Sequence, residues 1–346
     1  MDRGIRKCGL LLCILLAFTG ISCRHQASAD KYAGMDTTLV RLYRQLEKHP
    51  RDAGLHMAVA DYYREHLLLD SALNHALISI RLDSNNSEHY VKLSDLYLAM
   101  KETDLCEDML GKALKLDGKN NEAYLKLAEL HFLFRRYDEA SDVIAKAISL
   151  NDFNPKAHFI QGWIFREEGD TASAIRCYMK AVDQNSEYFE AYEELAHLYH
   201  VRHNPMAIDH YKNALRIKPD DMQTQYNLAM FYQETGDDEH AVSQYQQMLL
   251  TDANNRFVLH NIGWIYLSHM EKYEEAIQFF TKAINQDTTY IEAVYNRGLA
   301  FECMGDYQSA RQDFAYSLHL DATYEPAIEA LNRLDKKQIE NKKHQR

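Results

Sequence analysis

The chain has 346 residues, 39 Lys and Arg against 51 Asp and Glu, and a formal charge of −12. That balance leaves no basic footprint for phosphate backbones, so no nucleic-acid partner is expected. Only 5 Pro and 13 Gly interrupt a sequence rich in Ala, Leu, Glu, Lys and Gln, a composition that favours helices and excludes collagen-like or low-complexity chains.

Residues 1–23 read as a targeting segment. Arg3, Arg6 and Lys7 precede an apolar run from Leu10 to Phe18, too short to span a bilayer comfortably. The stretch Thr19-Gly20-Ile21-Ser22-Cys23 resembles the lipobox of bacterial lipoproteins, with Gly20 where that motif usually has Leu. The resemblance implies lipidation of Cys23 and a place in the bacterial cell envelope, at the outer membrane facing the periplasm. An ordinary cleaved signal, an uncleaved anchor and a chance apolar start remain as alternatives. Residues 24–36 follow as a polar tether. Beyond Cys23 the chain holds only Cys106, Cys177 and Cys303, two or more repeats apart. Stacked helices lie about 8–10 Å apart and bridged Cα atoms within about 7 Å, so no disulfide is expected and the three read as small core residues.

Residues 37–52 are predicted to form a lone capping helix with Leu39, Leu42, Tyr43 and Leu46 on one face. From 53 to 324 a period dominates. Ala72, Cys106, Ala140, Ala174, Ala207, Ala241, Ala276 and Ala310 are spaced by 33 to 35 residues. Four positions after each stands a second register, which ends in Tyr178, Tyr211, Tyr245, Phe280 and Phe314. Upstream, a small residue recurs (Ala60, Ser94, Ala128, Gly162, Ala196, Ala229, Gly263, Gly298), followed three positions later by a large one. A small side chain on one helix admits close approach of the next, and a large one fills the space a turn away. Gly169-Asp170, Gly236-Asp237 and Gly305-Asp306 carry the stop and start signals of consecutive helices. Residues 325–346, with Ile328, Leu331 and Leu334, are predicted to form a C-terminal capping helix ending in a basic tail.

This pattern, clearest in Asn261-Ile-Gly-Trp-Ile-Tyr266 and Asn296-Arg-Gly-Leu-Ala-Phe301, resembles the tetratricopeptide repeat (TPR) family. The usual closing proline survives only as Pro219. The resemblance implies an all-α fold: a right-handed superhelical solenoid of about eight helix–turn–helix units, with N- and C-terminal capping helices. It also implies a concave groove lined by the first helix of each unit. Reading the family's groove positions gives Phe159, Trp163, Tyr226, Met230, Phe257, His260, Trp264, Tyr295 and Leu299. Large apolar side chains facing a groove mark a binding surface. Asn227, Asn261 and Asn296 form a row like those that hold a peptide backbone in superhelical members of the family, since a carboxamide both donates and accepts. The plainer reading makes them polar residues beside the groove.

Nothing catalytic stands out. His197, His200 and His203 are close in sequence, but no further ligand accompanies them, and neither a metal nor another cofactor is expected. Paired acids such as Glu193-Glu194 read as a solvated face, and no phosphate loop, GxSxG or HExxH occurs. The expectation is a non-enzymatic scaffold or adaptor, tethered to the membrane by its N-terminal lipid, that holds a protein or peptide client and aids assembly of an envelope complex. The alternative is an accessory subunit that presents an enzyme or a solute-uptake partner.

Overall fold

The computed structural model describes Tyr32 and residues 34–344, with side chains to residue 338. The predicted signal segment, Cys23 and most of the predicted tether lie outside the described residues. Within them there are eighteen helices and no strand, and no helix is long and apolar enough to cross a membrane.

The chain divides into two units at residues 153 and 154. The first opens with α1 (Thr37–Lys48), whose Leu39 and Leu46 are buried against Val59. Three helix pairs follow: α2 (Ala53–Glu65) with α3 (Leu69–Leu82), α4 (Ser87–Ala99) with α5 (Thr103–Leu116), and α6 (Asn121–Leu133) with α7 (Tyr137–Leu150). The second unit has five pairs: α8 (Pro155–Glu167) with α9 (Thr171–Gln184), α10 (Phe189–His200) with α11 (Met206–Ile217), α12 (Met222–Glu234) with α13 (Asp238–Thr251), α14 (Arg256–Ser268) with α15 (Tyr273–Gln286), and α16 (Ile291–Met304) with α17 (Tyr307–Leu320). It closes with α18 (Glu325–His344), whose Ala327, Ala330 and Leu334 pack on Phe314. The even-numbered helices from α2 to α16 are the first helices of repeats one to eight.

The two sequence registers are the core. The residues from Ala72 to Ala310 that open each second helix are at most 2% exposed, as are those four positions later. A Cβ built on Gly263 would lie 2.8 Å from Phe280 Cε1, and one on Gly298 would lie 2.7 Å from Phe314 Cε1. The small residue of the first helix therefore lies directly under the ring of the second, which fixes how closely the pair can approach.

The turns inside the pairs need a left-handed residue. Gly169, Gly236 and Gly305 supply it with φ near +80°, whereas Leu67, Lys101, Arg135, His203 and Glu271 adopt φ between +49° and +64° with a side chain in place. Asp170, Asp237 and Asp306 then cap the following helix by accepting a backbone N–H. First helices are capped by Asp52, Asn86, Asn120, Asn154, Asp221 and Asn255. Tyr188 and Tyr290 stand at that position in repeats five and eight and make no side-chain cap bond.

The cysteines only partly follow the expected core role. Cys106 is buried, Cys177 half-buried and Cys303 exposed, and all three are free thiols.

Candidate functional site on the first helices of the second unit

Trp163, Tyr226, Met230, His260, Trp264 and Tyr295 are half-buried on the first helices of repeats four, six, seven and eight, and Phe257 is 50% exposed. Their partners explain why they stay ordered while partly open. Glu194 takes two bonds from Arg166 Nη1, both 2.6 Å, and one from the Trp163 indole N–H at 3.3 Å. Trp264 packs on the cluster of Leu267, Ala276, Phe280 and Ala300. Phe257 stacks edge-on to Tyr290 with centroids 5.9 Å apart, under the Arg256 guanidinium.

Phe159 requires correction. It is 4% exposed, with its ring 4.9 Å from Tyr188, 5.5 Å from Tyr178 and 4.5 Å from Trp163. It belongs to the joint between repeats four and five and cannot anchor a client. The same joint recurs as His260 against Tyr290, at 5.1 Å, and Tyr295 against Tyr324, at 5.6 Å. Where tyrosine replaces the capping Asp or Asn, its ring packs on the preceding first helix.

The asparagine row is largely internal. Asn261 Nδ2 donates to Tyr226 Oη at 3.0 Å and to Tyr245 Oη at 3.1 Å. Asn296, 8% exposed, donates through Nδ2 to His260 Nε2 at 3.0 Å, so the His260 proton sits on Nδ1, which faces Asn261 Oδ1 at 3.3 Å. Asn227 is half-buried, and its Oδ1 accepts from Gln223 Nε2 at 2.9 Å. Asn261 thus links repeat seven to repeat six and Asn296 links repeat eight to repeat seven, whereas the Asn227 bond stays within α12. Burial lowers the His260 pKa and raises that of Tyr245, so both remain neutral at physiological pH.

His200 is committed elsewhere, with Nδ1 2.8 Å from Tyr211 Oη and Nε2 3.0 Å from Glu234. Glu193, raised in pKa by burial, accepts from the Thr224 hydroxyl at 2.8 Å. The Arg166–Glu194 clamp and the capping tyrosines escaped sequence reasoning. The tyrosines were detectable as breaks in an otherwise Asp/Asn register. What the arrangement offers chemically is a set of fixed aromatic faces with hydrogen-bonded edges. Such a surface can bind apolar side chains with little ordering entropy.

Helix pairs of near-constant length, locked by a small residue under a ring, define an α-helical repeat protein. Two family profiles described as tetratricopeptide repeat match, one at residues 155–188, 223–255 and 258–290 and the other at 91–158. The chain contains tetratricopeptide repeats. It is similar to the C-terminal part of a TPR repeat-containing protein from Cytophaga hutchinsonii, with 19% identity over 70% of this chain and 99% of that one, and a TM-score of 0.62. A tetratricopeptide repeat protein from Parabacteroides merdae matches with 17% identity over 72% of this chain and 98% of its own, TM-score 0.46. At these identities the first likeness establishes the fold alone. Among curated proteins, none matches the sequence.

Proposed function

We propose that this chain is a non-enzymatic scaffold that holds a protein or peptide client on the first helices of its second unit, tethered to the bacterial envelope through a lipid on Cys23. The repeat fold supports the coarser part, since helical repeats bury their apolar surface between neighbours and leave extended faces for partners. The observation that carries the client site is the series Trp163, Tyr226, Met230, Trp264 and Tyr295. These large side chains lie half-open on the first helices of repeats four, six, seven and eight and are held in place by packing or hydrogen bonds. Aromatic anchors of this kind typically carry about 2 kcal/mol or more each.

Capture of partners from detergent-solubilised membranes, identified by mass spectrometry, should yield a protein whose retention falls at least tenfold per folded molecule on Trp264→Ala, about 1.4 kcal/mol. Undiminished capture by the folded variant would refute the client site. The tether is tested separately: Cys23→Ala should move the protein from the membrane to the soluble fraction, and equal retention would favour an uncleaved anchor.

A further inference from the structure

The capping helix α1 has a small apolar seat on the array. Leu39 and Leu46 are its two buried side chains, and they pack on Val59 of α2. Beside them a chain of hydrogen bonds runs through α1, α2 and α3. Tyr63 Oη lies 2.9 Å from Tyr43 Oη, and Tyr43 Oη lies 3.3 Å from His75 Nε2. His75 Nδ1 lies 3.1 Å from His56 Nδ1, and His56 Nε2 lies 3.2 Å from the Pro50 carbonyl oxygen. With both rings neutral, the protons of this chain have one placement. The carbonyl oxygen only accepts, so His56 Nε2 carries the hydrogen and His56 Nδ1 is bare. His75 Nδ1 must then donate, which leaves His75 Nε2 to accept from Tyr43 and Tyr43 to accept from Tyr63.

That placement limits what the chain can absorb. One added proton can be carried: His75 Nε2 then donates to Tyr43, and the two tyrosine hydroxyls turn round. A second cannot, because hydrogens on both Nδ1 atoms would face each other across 3.1 Å, between two like charges. Among the described residues no carboxylate bonds to either ring. The other groups against them are Tyr43 from α1, with Tyr32 stacked on it, and Tyr63 from α2. Asp36 and Asp52, which cap α1 and α2, are engaged by the Thr38 and Leu55 N–H groups. Burial, and then His56, hold the His75 pKa below the ordinary imidazole value. Once α1 is released, both rings titrate near about 6.5. The docked state therefore binds fewer protons than the released one, so docking is complete above about pH 6.5 and is lost as pH falls. We infer that α1 is an acid-released latch: it stays docked while His56 and His75 share at most one added proton, and it lets go when both are charged, uncovering α2 at Leu55 and Val59. The latch lies in the first unit and uses none of the client-site residues of the second.

Hydrogen–deuterium exchange of the full chain, read by mass spectrometry as protection factors for residues 37–48, tests this. Each proton taken up on release multiplies the release constant by up to about tenfold per pH unit below about 6.5. From about pH 7.5 to 5.5 the protection of α1 should fall at least tenfold, ahead of the first helices of repeats two to eight. The double variant His56→Gln, His75→Gln keeps a donor and an acceptor at each position but cannot titrate, and its α1 should lose less than about threefold over the same range. Should circular dichroism show that this variant does not fold, His56→Gln alone, at a half-buried position, should at least halve the loss on a logarithmic scale. Trp264→Ala should respond as the wild type does, which keeps the result independent of the client site. Three results overturn the inference: a loss below tenfold in the wild type, an equal loss in the histidine variant, or a loss shared at once by all eight repeats.

Discussion

Replacing Gly263 by Ala sets two terms of known size against each other. Gly263 lies inside α14, where Ala is favoured over Gly by about 1 kcal/mol. Against that, the new Cβ would lie 2.8 and 2.9 Å from two ring carbons of Phe280, a fully buried side chain hemmed in by Ala276, Leu267 and Ala300. Forcing a methyl into such a core costs about 1–3 kcal/mol, so the central expectation is a net loss of about 1 kcal/mol. Gly111 is the matched control. It lies inside α5, and nothing comes within 4 Å of a Cβ built there. Gly111→Ala should therefore gain about 1 kcal/mol from the same chemical change. Repeat arrays need not unfold in one step, so the readout is the direction of the shift in thermal and urea midpoints. Gly263→Ala should lower the midpoint and Gly111→Ala should raise it. Shifts of the same sign would mean that the gap beneath Phe280 does not set the helix approach.

Leu67 adopts φ +59° while 80% exposed. Relief of about 1–2 kcal/mol of left-handed strain, less about 0.5–1 kcal/mol for the freer unfolded chain, should make Leu67→Gly about 0.5–1 kcal/mol more stable. A lower melting temperature would contradict that. Stability should also fall on both sides of neutrality. Burial lowers the pKa values of His75, His89, His131, His210 and His260, so below the unfolded value of about 6.5 the unfolded chain binds more protons. That stability is complete above about pH 6.5 and is lost as pH falls through the lowered folded values. Burial pushes Tyr290 up to about 12 and also raises Tyr43, Tyr178, Tyr211 and Tyr245, so their contribution is present below about pH 10 and is lost as pH rises further. A melting temperature that stays constant from pH 7.5 to 5.5 would show that the histidine term is absent.

The helix pairs were legible because packing repeats whenever sequence does. Gly263 and Phe280 lie 17 residues apart, and each repeat restates the pair. Reading the family's groove positions also picked out Trp163 and Trp264, which are half-buried. It failed at Phe159, because the side chain that buries it, Tyr188, sits in a capping position outside the helical pattern. The asparagines misled for a related reason. Residue type says that Asn261 can donate and accept, but only the fold brings Tyr226 and Tyr245 from the preceding repeat within reach. A register reports which positions are equivalent, and it is silent on which of them meet across a joint.

The tyrosines at 188, 290 and 324 change how the array comes apart. A capping Asp or Asn stabilises its own helix, whether or not the next unit is folded. A tyrosine there stabilises nothing until the neighbouring ring is in place, which moves free energy from the single unit to the coupling between units. In a one-dimensional chain of folding units, stronger coupling at the same total stability means fewer partly open states. Repeats four and five should therefore exchange their amide protons as one block, and repeats seven and eight should open with α18. The Asp52-capped joint of the first unit, by contrast, should let its repeat fray singly, while the Asn120 cap of repeat three also holds Ser87 of repeat two.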